Sequence, residues 1–289
     1  MVEQVGLANT FEAHRKHLLA LAYRMLGSFS EAEDAVQESW LRLSRVDAQG
    51  IDNMGGWLTT VVSRVCLDML RSRKSRREES VDAHLPDMLT SQEYIIDPEQ
   101  EAVLADSVGI ALLVVLGRLK PAERIAFVLH DVFALPFNEI AAIVGKSESA
   151  TRQLASRARR QVRGAEAVPE VDVALQRNVV QAFLAAAHAG DFDTLVAALD
   201  PDVTVRDDRQ TASSKVTRGA AALARQVSGR AQKAAQLALV NGTVGILVAP
   251  QGRLLYVLQF RISGEKITEV DLISDPGRIN QLDLAVLSK

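Results

Sequence analysis

The sequence predicts a multi-domain chain: two all-α helical domains followed by an α+β domain. Three observations predict it. Apolar residues recur at helical spacing through much of the first half of the chain. Lys and Arg vanish between Arg77 and Arg118 while acids accumulate there. After "AEAVPEVD", short apolar runs divided by glycine and proline signals take over. The chain has 289 residues, enough for two or three domains of roughly 100 residues each, and its 48% hydrophobic content can fill their cores.

Residues 7–77 read as helices. "SEAEDAVQESWLRL" opens with a capping-box pattern, Ser30 to Glu33, in which a hydroxyl and a carboxylate satisfy free amides at a helix start. In "WLTTVVSRVCLDMLRSRKSRR", Trp57, Leu58, Val61, Val62, Val65, Cys66 and Met69 form one wide apolar face. Arg64, Asp68 and Arg71 recur on the opposite face, and the end is basic: Arg71, Arg73, Lys74, Arg76 and Arg77.

The next stretch holds Glu78, Glu79, Asp82, Asp87, Glu93, Asp97, Glu99, Glu101 and Asp106 and no base. Its weak periodicity and prolines mark residues 79–98 as an acidic linker. An acidic strand is a poor ligand for DNA and suits a basic channel or the chain's own basic helices. Helices are expected to resume near Glu99 and run to about Arg163.

Within that run, "LPFNEIAAIVG" and "SESATRQLASRARRQV" read as helix, short turn and second helix. Gly145 can take the positive φ that ends the first helix, and Ser147 can cap the second. Arg152, Ser156, Arg159 and Arg163 share one face, while Ala150, Leu154, Ala158 and Val162 are expected to pack on the first helix. Only Glu148 opposes Lys146, Arg152, Arg157, Arg159, Arg160 and Arg163 locally. Such a helix suits the major groove, where Arg152 and Gln153 can form paired hydrogen bonds with base edges. The whole chain, with 33 Lys and Arg against 36 Asp and Glu, hides these patches because its acid is concentrated between them.

The last part reads as two short helices, then strands at "DVTVRDD", "AAQLALVNGTVGILVAP", "GRLLYVLQFRIS" and "KITEVDLIS", with hairpin turns at "NG" and "SGE". If this part closes into a cone, as the fold it resembles below implies, Arg206, Asp207, Asp208 and Asp271 are expected to face its pocket, where a carboxylate can act as general base.

"DAVQESWLRL", "WLTTVVSRVCLDMLRSRKSRRE" and "LPFNEIAAIVGKSESATRQLASRARRQV", in that order, resemble an extracytoplasmic-function (ECF) sigma factor of bacterial RNA polymerase. The resemblance covers about residues 7–164, and the rest resembles a SnoaL-like extension of nuclear-transport-factor-2-like cone fold. It implies sigma region 2 at 1–78, the linker at 79–98, region 4 at 99–168 and a regulatory SnoaL-like domain at 169–289. Asp34, Gln37, Glu38 and Leu41 would meet core RNA polymerase at the β′ clamp. Arg64, Asp68, Arg71, Arg73, Lys74, Arg76 and Arg77 would meet the minus-ten element of promoter DNA. Ser149, Arg152, Gln153, Ser156, Arg157, Arg159 and Arg160 would meet the minus-thirty-five element, with the β flap as the second polymerase contact. A partial Leu-Pro motif at Leu85 and Pro86, a lone Lys215 where the family has a glycine-rich segment, and a terminal motif at Asp275, Pro276 and Arg278 would be regulatory contacts.

The expected function is an alternative sigma factor regulated in cis, without catalysis, cofactor or metal. Two further readings stand beside it: a helix-turn-helix regulator independent of polymerase with a ligand-sensing domain, and a SnoaL-type isomerase or hydrolase with a DNA-binding appendage. One cysteine, Cys66, excludes an internal disulfide, and "HRKH" lacks a nearby third metal ligand. No apolar run reaches the roughly 20 residues of a membrane span, so a cytoplasmic location is expected.

Overall fold

The computed structural model describes residues 2–46, 50–79, 109–164, 170–208, 217–229, 234–250 and 253–287. Leu85, Pro86 and Lys215, linker residues 80–98 and the expected helix start near Glu99 lie outside the described residues, as does the Arg77 side chain. Two compact units emerge. The first is Met1–Val108 with Leu116–Arg159; the second is Gly109–Val115 with Arg160–Lys289.

In the first unit, α1 (Val2–Leu26), α2 (Phe29–Leu43) and α3 (Met54–Glu79) pack around fully buried Leu18, Leu21, Tyr23, Leu43 and Leu58. The cap of α2 differs from the expected one: Ser28 Oγ accepts from Glu31 N, and Ser30 lies inside the helix. Starting the helix at Phe29 buries that ring, which a start at Ser30 would leave outside. Of the expected α3 stripe, Leu58, Val62, Val65 and Cys66 are buried, while Trp57, Val61 and Met69 are half-buried and Leu67 and Leu70 are buried as well.

Four further helices follow: α4 (Ile110–Arg118), α5 (Pro121–Phe127), α6 (Phe137–Val144) and α7 (Glu148–Arg163). A π-helical turn, Val128–Val132, extends α5. His130 stacks on Phe137, centroids 3.9 Å apart, and its Nδ1 donates to Leu135 O at 2.9 Å, which holds the entry to α6. Within this unit α5 and α6 pack against α3.

The second unit is an α+β domain. Its seven-stranded sheet has the order β2-β1-β6-β5-β4-β3-β7. The strands are β1 (Leu199–Asp207), β2 (Thr217–Arg218), β3 (Ala235–Val240), β4 (Thr243–Val248), β5 (Tyr256–Ser263), β6 (Lys266–Ile273) and β7 (Leu284–Ala285). Only β1 and β6 run parallel among these pairs. Helices α8 (Glu170–Ala189), α9 (Phe192–Ala198) and α10 (Ala220–Val227) contribute Val180, Phe183, Leu195 and Leu223 to a core shared with Val203, Ile246 and Val270. The "NG" turn is as read: Asn241 and Gly242 both have positive φ, the requirement of the two-residue turn that matches strand twist. A short helix, α11 (Pro276–Gln281), precedes β7. The starting residues of α4 and the last turn of α7 also belong to this unit: Ala111 N donates to Gln236 Oε1 at 2.9 Å, and Val286 N to Val162 O at 2.8 Å.

Candidate nucleic-acid interface

The turn between α6 and α7 follows from two residues. Gly145 sits at φ +69° as the left-handed cap of α6, and both its N–H and that of Lys146 return to Ala141 O, at 3.0 and 3.1 Å. Ser147 Oγ then accepts from Ala150 N at 3.2 Å and starts α7. Thr151, Ala155 and Ala158 are buried in the first unit, as are Ile140, Ile143 and Val144, and Val162 is buried in the second. This corrects the expected packing face by one residue at its first two positions, since Ala150 and Leu154 are only half-buried. Small Thr151 and Ala155 let the helix approach closely, with Thr151 Oγ1 satisfied by Ser147 O at 2.9 Å.

Ser149, Arg152, Gln153, Ser156, Arg157 and Arg160 are exposed together on the outer side of α7. Arg152 pairs with Glu148 and lies 5.5 Å from the Phe137 ring centroid, so its guanidinium is held at the start of the helix. Acid from earlier helices also opposes this face, beyond the Glu148 foreseen. Arg159, half-buried, donates to Asp131 at 2.5 Å, and Arg157 lies 4.0 Å from buried Glu123. Arg159 thus ties α7 to the π-helical turn, leaving Arg152, Gln153, Arg157 and Arg160 as the outward donors.

On α3, Arg64, Asp68, Arg71, Lys74 and Arg76 are exposed. Asp68 and Arg71 approach to 3.8 Å, and Arg64 Nη2 donates to Ala142 O of α6 at 3.2 Å. Arg73 points elsewhere: it pairs with Glu31 of α2 and is half-buried. Sequence spacing placed it in a basic run and gave no sign of this partner, 42 residues away.

On α2, Asp34, Gln37 and Leu41 are exposed, Leu41 at 42%, and half-buried Glu38 accepts from Arg42 at 2.9 Å. Beside them a groove of about 420 Å³ runs between α1 and α2, floored by Phe11 and Trp40, whose rings lie 5.1 Å apart, and rimmed by Glu12, Glu33 and Asp34. The α1 side of this groove was missed in the sequence, although Phe11 and Ala8 at helical spacing were its signal.

In the second unit Asp208 and Asp271, expected to face a pocket, are engaged with other side chains and backbone amides. Arg206 lies 3.7 Å from Glu269 and 4.0 Å from Asp271. Asp208 accepts from Ser274 N and Oγ, both at 2.8 Å, from Asp275 N at 3.1 Å and from Arg278 Nη1 at 3.3 Å. Burial pushes its carboxyl up, but the Ser274 and Asp275 donors and the Arg278 charge outweigh this and hold it below the ordinary carboxylate value. The terminal motif is built on this anchor. Asp275 Oδ1 accepts from Arg278 N at 2.8 Å as the cap of α11, and Pro276 is its first residue. No cluster of three or more metal-ligating side chains occurs among the described residues, and no helix searched there is long and apolar enough to cross a membrane.

Comparison with known proteins places these elements. Residues 10–76 match Sigma-70 region 2 and residues 110–162 match Sigma-70, region 4. The chain is 44% identical over 250 residues to the ECF RNA polymerase sigma factor SigJ of Mycobacterium tuberculosis, covering 83% of this chain and 80% of that protein. It is 37% identical over 288 residues to the probable ECF RNA polymerase sigma factor SigI of the same species, covering 98% of each. Among solved structures, M. tuberculosis SigJ matches at 36% identity with a TM-score of 0.44, over 94% of this chain and 98% of that one. An NTF-2 like protein from Burkholderia xenovorans matches at 19% identity with a TM-score of 0.30, over 37% of this chain and 88% of that one.

Proposed function

The chain belongs to the ECF sigma factors of RNA polymerase, and from that premise we propose how its parts divide the work of bringing core polymerase to a promoter. α7 reads the minus-thirty-five element. The observation that carries this is its division into faces: Thr151, Ala155 and Ala158 are buried while Arg152, Gln153, Ser156, Arg157 and Arg160 stand outward. A helix so divided can enter the major groove, with Arg152 and Gln153 toward base edges and Arg157 and Arg160 toward phosphates.

The exposed side of α3, through Arg64, Asp68, Arg71, Lys74 and Arg76, serves the minus-ten element. Arg73 acts differently in this reading. Its pairing with Glu31 fixes α3 on α2, so it positions the reading face. Asp34, Gln37, Glu38 and Leu41 of α2 form the contact with the β′ clamp, and region 4 meets the β flap. An exposed leucine flanked by carboxylates and an amide suits a basic partner helix with an apolar edge.

The second unit regulates in cis and is no enzyme. Of the residues expected to face its pocket, Arg206 and Asp271 are spent on Arg206–Glu269 and Arg206–Asp271, and Asp208 on the anchor. Regulation acts through the bonds to Ala111 and Val162, the ends of the region 4 helices. Run-off transcription with core polymerase tests the whole reading. Full-length protein and a 1–168 fragment should both start at the same promoter, at different rates. No promoter-dependent start from either would overturn it, and equal rates would remove cis-regulation.

A further inference from the structure

Arg152 is tied down from two sides at the start of α7. Its guanidinium pairs with Glu148, one turn earlier on the same helix, and lies over the ring of Phe137, 5.5 Å from the centroid. Phe137 belongs to the other helix of the pair, at the first position of α6. That half-buried ring is fixed in turn. His130 stacks on it with centroids 3.9 Å apart and planes 27° apart, and His130 Nδ1 donates to Leu135 O at 2.9 Å. Contacts therefore run from the backbone at Leu135 through two rings to the guanidinium. Stability does not account for the arrangement. The Arg152 side chain is 60% exposed and that of Glu148 44%, and an ion pair so open to water contributes little. On a helix that enters the major groove, a carboxylate also faces phosphate charge, which opposes binding. The helix dipole favours an acid in the first turn, but it requires neither an arginine one turn later nor a ring beside it.

We propose that Phe137 and Glu148 are positioning residues, which hold the Arg152 guanidinium in one orientation so that it reads the O6 and N7 of a single guanine in the upstream element. This rests on the reading that α7 enters the major groove. The chemistry fits both partners. A guanidinium is a flat fork with five N–H donors, and Glu148 accepts from Nη2, which leaves donors on the rest of the fork. The Phe137 ring attracts the cation to its face and so restrains where the group can lie. The donors that remain can form the paired bonds that single out guanine. A loose arginine on its flexible stem also meets phosphates and the acceptors of other bases. Ordering one such side chain at an interface costs roughly two- to tenfold in affinity, and a guanidinium already held in place avoids most of that loss. Both residues act through Arg152.

The test is selection by holoenzyme, the full chain with core polymerase, from promoter duplexes randomised across the upstream element, with sequencing of the bound fraction. Arg152→Ala should erase one guanine preference and so mark its position. Phe137→Leu and Glu148→Gln should each lower that same preference about three- to tenfold and leave the other positions as they were. Phe137→Tyr keeps the ring and should keep the preference. Glu148 is exposed, so its variant tests the proposal without touching the core. Removing its charge should tighten binding to a duplex that lacks the element while discrimination at the marked position falls. A glutamate with no positioning role would instead tighten binding to every duplex and leave the base preference unchanged, which overturns the proposal. So does a loss in Phe137→Leu spread evenly over all positions, or a loss of the preference in Phe137→Tyr. If Arg152→Ala alters no single position, the reading of α7 fails and the positioning falls with it. A position marked by Arg152→Ala but untouched by Phe137→Leu and Glu148→Gln sinks the positioning alone.

Discussion

Replacing Asp208 with alanine should loosen the end of the second unit without disturbing the first. The carboxylate is 7% exposed and accepts four hydrogen bonds, from Ser274 N, Ser274 Oγ, Asp275 N and Arg278 Nη1. Hydrogen bonds to a charged acceptor contribute about 1.5–3 kcal/mol each, but these four share one group and their donors regain water when it is removed. The summed loss is therefore set at about 2–4 kcal/mol for opening of this turn. That converts to roughly 30- to 700-fold faster amide exchange where opening controls exchange. Hydrogen exchange of the full chain, read by mass spectrometry over residues 273–282, measures it, with an α3 peptide as the internal reference. Asp208→Asn keeps an acceptor for Ser274 and should lose less. The pH dependence has a definite sign. A carboxyl held below its ordinary value contributes fully above the unfolded value, about 3.9, and its contribution fades as pH falls through the folded value. Protection in the wild type should thus approach that of Asp208→Asn in acid. Unchanged exchange over 273–282, or equal acceleration in α3, would refute the reasoning.

Arg152→Ala should weaken binding to the upstream promoter element by about 1–3 kcal/mol, with the loss at one base position in a mutated-site series; a uniform loss would assign Arg152 to phosphate. Asp34→Ala with Glu38→Ala should reduce co-purification with core polymerase at least about tenfold, while the melting temperature barely moves, because the half-exposed Glu38–Arg42 pair is an i,i+4 contact of only about 0.3–0.5 kcal/mol. Gly245→Ala should destabilise the second unit by about 1–3 kcal/mol in urea unfolding, since a Cβ there would meet Leu258 O and Val240 Cγ2, each at 2.7 Å.

The parts of this fold that were legible in the sequence are those decided by short spacing. Gly145 and Ser147 mark the turn between α6 and α7 because one supplies a conformation and the other an acceptor within three residues. Asn241-Gly242 does the same for β3 and β4. The α2 cap was misplaced because the sequence holds two overlapping patterns, Ser28 to Glu31 and Ser30 to Glu33, and burial of Phe29 decides between them. What stayed hidden depends on distant partners. Arg73 with Glu31, Arg159 with Asp131 and Asp208 with Ser274 bring together residues with no periodic relation. Arg124 reads as one charge in the amphipathic stretch "PAERIAF", and only the packing of α5 against α3 shows that it is enclosed.

Cys66 supplies a clock for the first unit. It is the chain's one thiol, fully buried on α3, and burial pushes its pKa up to about 12. A thiol in that state is inert toward disulfide reagents until the helices part, because only the exposed thiolate attacks. Its modification rate under native conditions therefore reports opening of the α1–α3 bundle, with no label introduced: the opening equilibrium when reclosing is fast, and the opening rate when the reagent reacts faster than the bundle closes. Set beside the same rate in the presence of core polymerase, it tests whether this bundle opens less often in the complex.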